Sequence, residues 1–261
     1  MSMIPWKRVH RGLAQYARTH EIHPTRVEQV MLALQALLKI AGDGSRSRQA
    51  MYRLGCALLA PKPHIFVPVC PDYSNKDGKY TYEGMGDGIP LLFNKHRPFV
   101  SQVLKIVPEA QVTILIADHE GGLPDFRVAH HVTLEEFRTR VERTRAKVKQ
   151  ASPKTWEVHM FTEVFPGFLT KAWDEAHVLL IDAKMRERLE LDTLRRAPLY
   201  DKIGYPREGR LERTAHVAGQ YVCLGHEVRS RGALVCNHTT TSLSWYGPTQ
   251  VAVLHNPVVI Y

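Results

Sequence analysis

Close cysteine pairs are missing from this chain. Its four cysteines, Cys56, Cys70, Cys223 and Cys236, include no CxxC, so neither a zinc ribbon nor a thioredoxin-type redox site is expected, and a reducing cytosol is the simplest setting. Long apolar runs are missing too: segments such as Val112 to Ala117 fall far short of the roughly 20 residues that a membrane helix needs. The opening MSMIPWKRVHRG carries charge with no apolar segment behind it, so a cytoplasmic protein with no secretory leader and no membrane partner is expected. There is no HExxH. His130 and His131 are merely adjacent, and His119 precedes Glu120 without a further ligand at metal spacing, so no metal is expected. Gly84 and Gly86 make a GxG, but no GKS/T follows and Pro90 comes next, which excludes a P-loop and a dinucleotide fingerprint and leaves no cofactor to expect. Repeats and low-complexity tails are absent as well.

What remains describes a packed globule. Hydrophobic residues make up 44% of the chain, and glycine and proline are scattered rather than clustered. A length of 261 residues sits at the upper edge of one domain. Thirty-five Lys and Arg against 26 Asp and Glu give a formal charge of +9, which favours polyanionic partners if the cations share one surface.

The periodicities alternate between helix and strand. Apolar residues at Val27, Val30, Met31, Leu34, Leu37 and Leu38 predict a packing helix over 24–41, and Gln49 to Leu59 a second, so residues 1–60 read as a helical extension packed on a core domain over 61–261. The buried run His64 to Val69 predicts a strand, Leu91 to Ile106 a helix and Val112 to Ala117 a second strand. Glu157 to Phe161 reads as a third strand, Phe168 to Arg196 as long helices, Leu211 to Leu224 as another helix, and Ala233 to Cys236 and Val251 to Leu254 as the last strands. Strand, helix, strand is the parallel-sheet unit, so the fold class expected is α/β: a Rossmann-like parallel sheet flanked by helices in a single domain.

Chemistry is met at the carboxyl ends of such strands. Cys70 closes the first strand and is the first candidate nucleophile, with a buried, inert thiol as the bland alternative. The second strand delivers Asp118, His119 and Glu120 to the same edge. Thr133 to Gln150 opens with a capping-box pattern, Thr133 with Glu136, and puts Leu134, Phe137, Val141 and Val148 on one stripe. Arg138, Arg140, Arg143, Arg145, Lys147 and Lys149 spread over the rest of that helix, either as a solvated face or as contacts to phosphate. Tyr221 and Glu227 are candidates for proton transfer, with Glu212 and His216 as a competing pair.

In this order the features resemble the tRNA-dependent cyclodipeptide synthases: VPVCPDYS, TILIADHE, the basic helix, GQYVCLGHE and LVCNHTTTSLSWY occupy the places of that family's nucleophile strand, acidic strand, tRNA helix, Tyr/Glu helix and pocket strand. The resemblance implies an aminoacyltransferase that takes aminoacyl-tRNA as its partner, uses no cofactor and forms a cyclic dipeptide through an aminoacyl-enzyme. It implies Cys70 as nucleophile, with Ser74 one small register shift away, Tyr221 and Glu227 for proton handling, and Tyr73, Asp118, Asn237 and His238 around the aminoacyl group. Arg138, Arg140, Arg143, Arg145, Lys147 and Lys149 would hold tRNA. Four departures stand out: Cys70 replaces the family's serine, Tyr73 stands where it often has Asn, Asn237 and His238 replace its Tyr-His or Tyr-Pro, and Tyr-x-x-x-Glu does not occur, Gly225 lying four residues after Tyr221. Two other functions fit the same residues: a non-catalytic RNA-binding protein, and a Cys or Ser hydrolase of small esters with His238 or His226 as base.

Overall fold

The computed structural model describes residues 4–40, 48–69, 92–123, 127, 132–202, 204–237 and 252–255. Three helices lead, α1 (Trp6–Thr19), α2 (Pro24–Ile40) and α3 (Arg48–Leu58), followed by β1 (His64–Val69). A π-helical segment, Leu92–His96, runs into α4 (Arg97–Ile106), and β2 (Gln111–Ile116) ends in a 3₁₀ turn, His119–Gly122. Then come α5 (Leu134–Ala151), β3 (Glu157–Met160), the short α6 (Phe161–Val164), α7 (Phe168–Ile181), α8 (Ala183–Lys202), α9 (Arg210–Ser230), β4 (Leu234–Asn237) and β5 (Ala252–His255).

All strand pairs are parallel, in the order β3-β2-β1-β4-β5. The chain steps outward from β1 to β3, then returns through α6 to α9 and places β4 on the other side of β1. Strand order therefore reverses between β1 and β4, the switch point at which open α/β sheets meet their ligands. A sheet of this kind is covered on both faces, which is why the strands read as continuous apolar runs. The pleat divides them strictly. Ile65, Val67 and Val69 join Ile114, Ile116, Leu234 and Cys236 under α1 to α5, whereas Phe66, Leu115 and Val235 face Phe161, Phe165, Phe168 and Cys223 on the other side. The α/β sheet flanked by helices is thus as expected, and no described helix is long and apolar enough to cross a membrane.

The leading helices share the core. Val9, Leu13, Val30, Leu34 and Leu54 belong to the same apolar cluster as Ile65 and Val67. Helix α1 was not expected from the sequence: its buried stripe is only Val9, Leu13 and Ala17, one residue per turn inside a basic segment. Two expectations need correction. Strand β2 begins one residue early, at Gln111, whose N–H donates to the Pro63 carbonyl at 2.8 Å. Leu134 is 38% exposed at the open end of α5, and Thr144 takes its place in the buried stripe with Phe137, Val141 and Val148. The capping box does form: Glu136 N–H donates to Thr133 Oγ1 at 3.2 Å, and Thr133 N–H to Glu136 Oε2 at 2.8 Å.

Candidate functional site

Three elements converge at the carboxyl edge of the sheet. The Ala117 N–H donates to the Val69 carbonyl at 2.9 Å, so the ends of β1 and β2 are tied together, and the next residue after Val69 in the chain is Cys70. One residue beyond Asp118, His119 turns inward against Phe161 and Phe168, with ring centroids 4.4 and 5.1 Å away. From the other side α9 brings His216 and Gln220, one helical turn apart.

Burial, with the His216 ring adding to it, lowers the His119 pKa to about 3, so this imidazole is neutral at any physiological pH. Gln220 lies beside His119 and opposes part of that lowering, while His119 Nδ1 and Gln220 Nε2 are both buried with no hydrogen-bond partner among the described residues. Both valences are unusual in a protein interior, where polar groups are nearly always satisfied.

His216 is fixed from two directions. Its ring stacks on Trp173 of α7, 3.9 Å between centroids and with the ring planes nearly parallel, and Arg213 Nη1 lies 3.1 Å from its Nδ1. A guanidinium only donates, so Nδ1 accepts and the ring proton sits on Nε2. The helices holding these groups are packed backbone to backbone: a Cβ on Gly219 would lie 2.1 Å from the Ala172 carbonyl oxygen. Arg213, His216 and Gln220 stand at i, i+3 and i+7, a polar stripe where an apolar one belongs. That stripe is the sequence signal for the cluster, and it competes with the pairing of Glu212 with His216. The structure separates those two, Glu212 being exposed and His216 fully buried.

Several expected residues lie elsewhere. Asp118 is already engaged: its carboxylate accepts from the Thr162 N–H at 2.9 Å and from the Thr162 hydroxyl, and so fastens the first turn of α6 to the end of β2. Glu227 is not at this edge. It sits seven residues past Gln220, about 10 Å along the helix at 1.5 Å per residue, paired with both Lys171 and Arg231. Those cations hold its carboxyl below the ordinary range despite burial, which suits a permanent anion and not a proton carrier. Tyr221 is half-buried and packs against the aromatic cluster that contains Phe161 and Phe168. His226 is exposed on α9, 3.6 Å from Glu175, and is unavailable as a base at the carboxyl edge. Asn237 ends β4 in register with His255, its side chain outside the described residues. Cys70, Tyr73, Ser74 and His238 lie outside the described residues altogether.

The three described thiols are held protonated. Burial pushes Cys236 up to about 12, and its Sγ lies 3.9 Å from His96 Nδ1 beneath the end of β4. Burial, reinforced by Glu227, likewise pushes Cys223 up to about 12, and burial takes Cys56 to about 11. None of them offers a thiolate near neutral pH.

The cations of α5 form two rows flanking the buried stripe. Arg140, Arg143 and Lys147 follow one another at three and four residues, and Arg138, Arg145 and Lys149 make the other row. Arg145 is committed to Glu163, 2.9 Å away, so it is not a free phosphate contact. Arg138, Arg143, Lys147 and Lys149 are exposed.

No family model, curated protein or solved structure matches this chain. Function therefore has to be argued from the site.

Proposed function

We propose that this chain forms peptide bonds from aminoacyl-tRNA and releases a cyclic dipeptide, through an aminoacyl group carried on Cys70 or Ser74. What carries this proposal is the placement of Val69, the residue before Cys70, at the switch point between β1 and β4, with neutral polar groups beside it at the end of β2. An exposed row of cations on α5, the helix that leaves the same edge, supports an RNA substrate.

The chemistry asks little else of the protein, because an aminoacyl ester is already activated. The nucleophile attacks the ester carbonyl, the C–O bond to the tRNA ribose breaks, and the ribose oxygen leaves with a proton. The amine of a second aminoacyl group then displaces the enzyme's sulfur or oxygen to make the first peptide bond, and the remaining free amine closes the ring on the second ester. Each amine must lose a proton as it attacks. The neutral His119 imidazole and the Gln220 amide are suited to orienting an amine and a carbonyl, whereas a pKa near 3 makes His119 a poor proton store. With Glu227 locked in ion pairs and His216 Nδ1 already accepting from Arg213, each amine proton goes to the leaving oxygen or sulfur, with the Tyr221 hydroxyl as a relay.

The RNA half is tested on α5. Reversing Arg143 and Lys147 to Glu is expected to weaken tRNA binding at least tenfold and to reduce the slope of log affinity against log salt by about two, roughly one for each lost phosphate contact. Arg145→Gln is expected to act through Glu163 and leave the slope unchanged. An unaltered slope in the double variant would remove α5 from the RNA surface. If deacylated and aminoacylated tRNA bind equally and no product forms, the chain is an RNA-binding protein and not an enzyme.

A further inference from the structure

A cavity lies at the opposite edge of the sheet. It has a volume of about 620 Å³, within the usual range for small-molecule sites, and is bounded by α1, by α3 and by the turn from α9 into β4. Tyr16 and His20, one turn apart on α1, line one wall, and Gln49, Tyr52, Arg53 and Cys56 on one face of α3 line another. Arg229 closes the third, and the backbone there is fixed. Gly232 takes a left-handed φ of 59° that only glycine accepts readily, its N–H donates to the Arg229 carbonyl, and the Ala233 N–H donates to the Val228 carbonyl.

The cavity is cationic. Its lining contains two guanidinium groups and a histidine but no carboxylate. Several part-buried arginines elsewhere meet a carboxylate, Arg26 at Glu109, Arg145 at Glu163, Arg196 at Asp192 and Arg210 at Asp201, and Arg97 and Arg127 donate to backbone carbonyls instead. Arg53 is also part-buried, and among the described residues no carboxylate pairs with it or with Arg229. Removing a cation from water without an anion beside it is costly, and that cost depresses the pKa of Arg53. Burial and the neighbouring Cys56 keep the Tyr52 phenol protonated, its pKa pushed up to about 12, so it serves as a donor as well as a ring. Two cationic forks, phenolic donors and stacked aromatic rings, Tyr16 and His20 being 3.9 Å apart, call for an anion that carries a flat ring. The cavity is far larger than a phosphate ion needs.

We propose that this cavity binds a small phosphorylated compound with an aromatic ring, of the mononucleotide class, with Arg53 and Arg229 on the phosphate and Tyr16, His20 and Tyr52 around the ring. The site is remote from the carboxyl edge and independent of the reaction assigned there.

Calorimetric titration of the full chain with AMP, adenosine and inorganic phosphate tests it. Saturable AMP binding is expected, at least about tenfold tighter than either adenosine or phosphate, and weakened about tenfold or more by Arg53→Gln and by Arg229→Gln. Arg229 is exposed, so its variant is expected to fold, and Arg8→Gln on the outer side of α1 is expected to change nothing. No AMP binding at millimolar concentration overturns the proposal. So does phosphate matching AMP, or Arg8→Gln weakening AMP as much as the other two variants do.

Discussion

Gly219→Ala is expected to lower stability by about 3 kcal/mol, against the general rule that alanine strengthens a helix interior by about 1 kcal/mol over glycine. The sign follows from what the added methyl would meet: the Ala172 carbonyl oxygen at 2.1 Å and the Ala176 nitrogen at 2.9 Å. Both are backbone atoms of α7, so no side chain can rotate aside. The helices must part, and with them the contact of Ala172 and Phe168 with Cys223 and the seat of His216 on Trp173. Gly55→Ala is the internal control. Its Cβ would come within 2.7 Å of Leu13 Cδ1, the end of a flexible side chain, so a cost of about 1 kcal/mol is expected. Urea unfolding of the two variants beside the parent gives the comparison, and a neutral or stabilised Gly219→Ala would mean that α7 and α9 are not packed as described.

The second large effect is on pH dependence. His119 titrates near 6.5 in the unfolded chain and near 3 in the folded one. Between those values the unfolded state holds the extra proton, so stability rises with pH across this window and is lost as pH falls below about 6.5. At 1.36 kcal/mol per unit, lowering the pH to 5 costs about 2 kcal/mol from this residue alone. His119→Leu is expected to remove that slope while keeping apolar packing against Phe161 and Phe168 in place of the ring contacts. His64, whose pKa is also lowered by burial, gives a slope of the same sign and is unchanged by the variant, so the difference between the two profiles isolates His119. Equal slopes in parent and variant would show that His119 is open to solvent in the folded protein.

Much of this fold was readable because parallel strands buried on both faces leave long apolar runs. His64 to Val69 and the run ending at Ile116 were placed to within a residue, and the capping box announced α5. Helix α1 was missed because three apolar residues spaced by four are a faint stripe among Lys7, Arg8, Arg11 and Arg18. The site was half visible. Asp118 and His119 were placed at the correct edge from strand length alone, yet Asp118 is used up by Thr162, and which of the two side chains turns inward depends on α6, which periodicity does not locate. Glu227 was chosen by chemical type, and only tertiary structure brings Lys171, fifty-six positions away, to neutralise it. The electrostatic influence of His216 on His119 is of the same kind, reaching the end of a strand from a helix far along the chain.

The most direct measurement is mass spectrometry of the medium from bacteria expressing this chain, its Cys70→Ala variant and its Ser74→Ala variant. A new cyclic dipeptide mass is expected from the parent, abolished by one of the two substitutions while the protein remains folded. Full product from both variants, or none from the parent when purified protein is given a complete set of aminoacyl-tRNAs, would contradict an aminoacyl-enzyme at the end of β1.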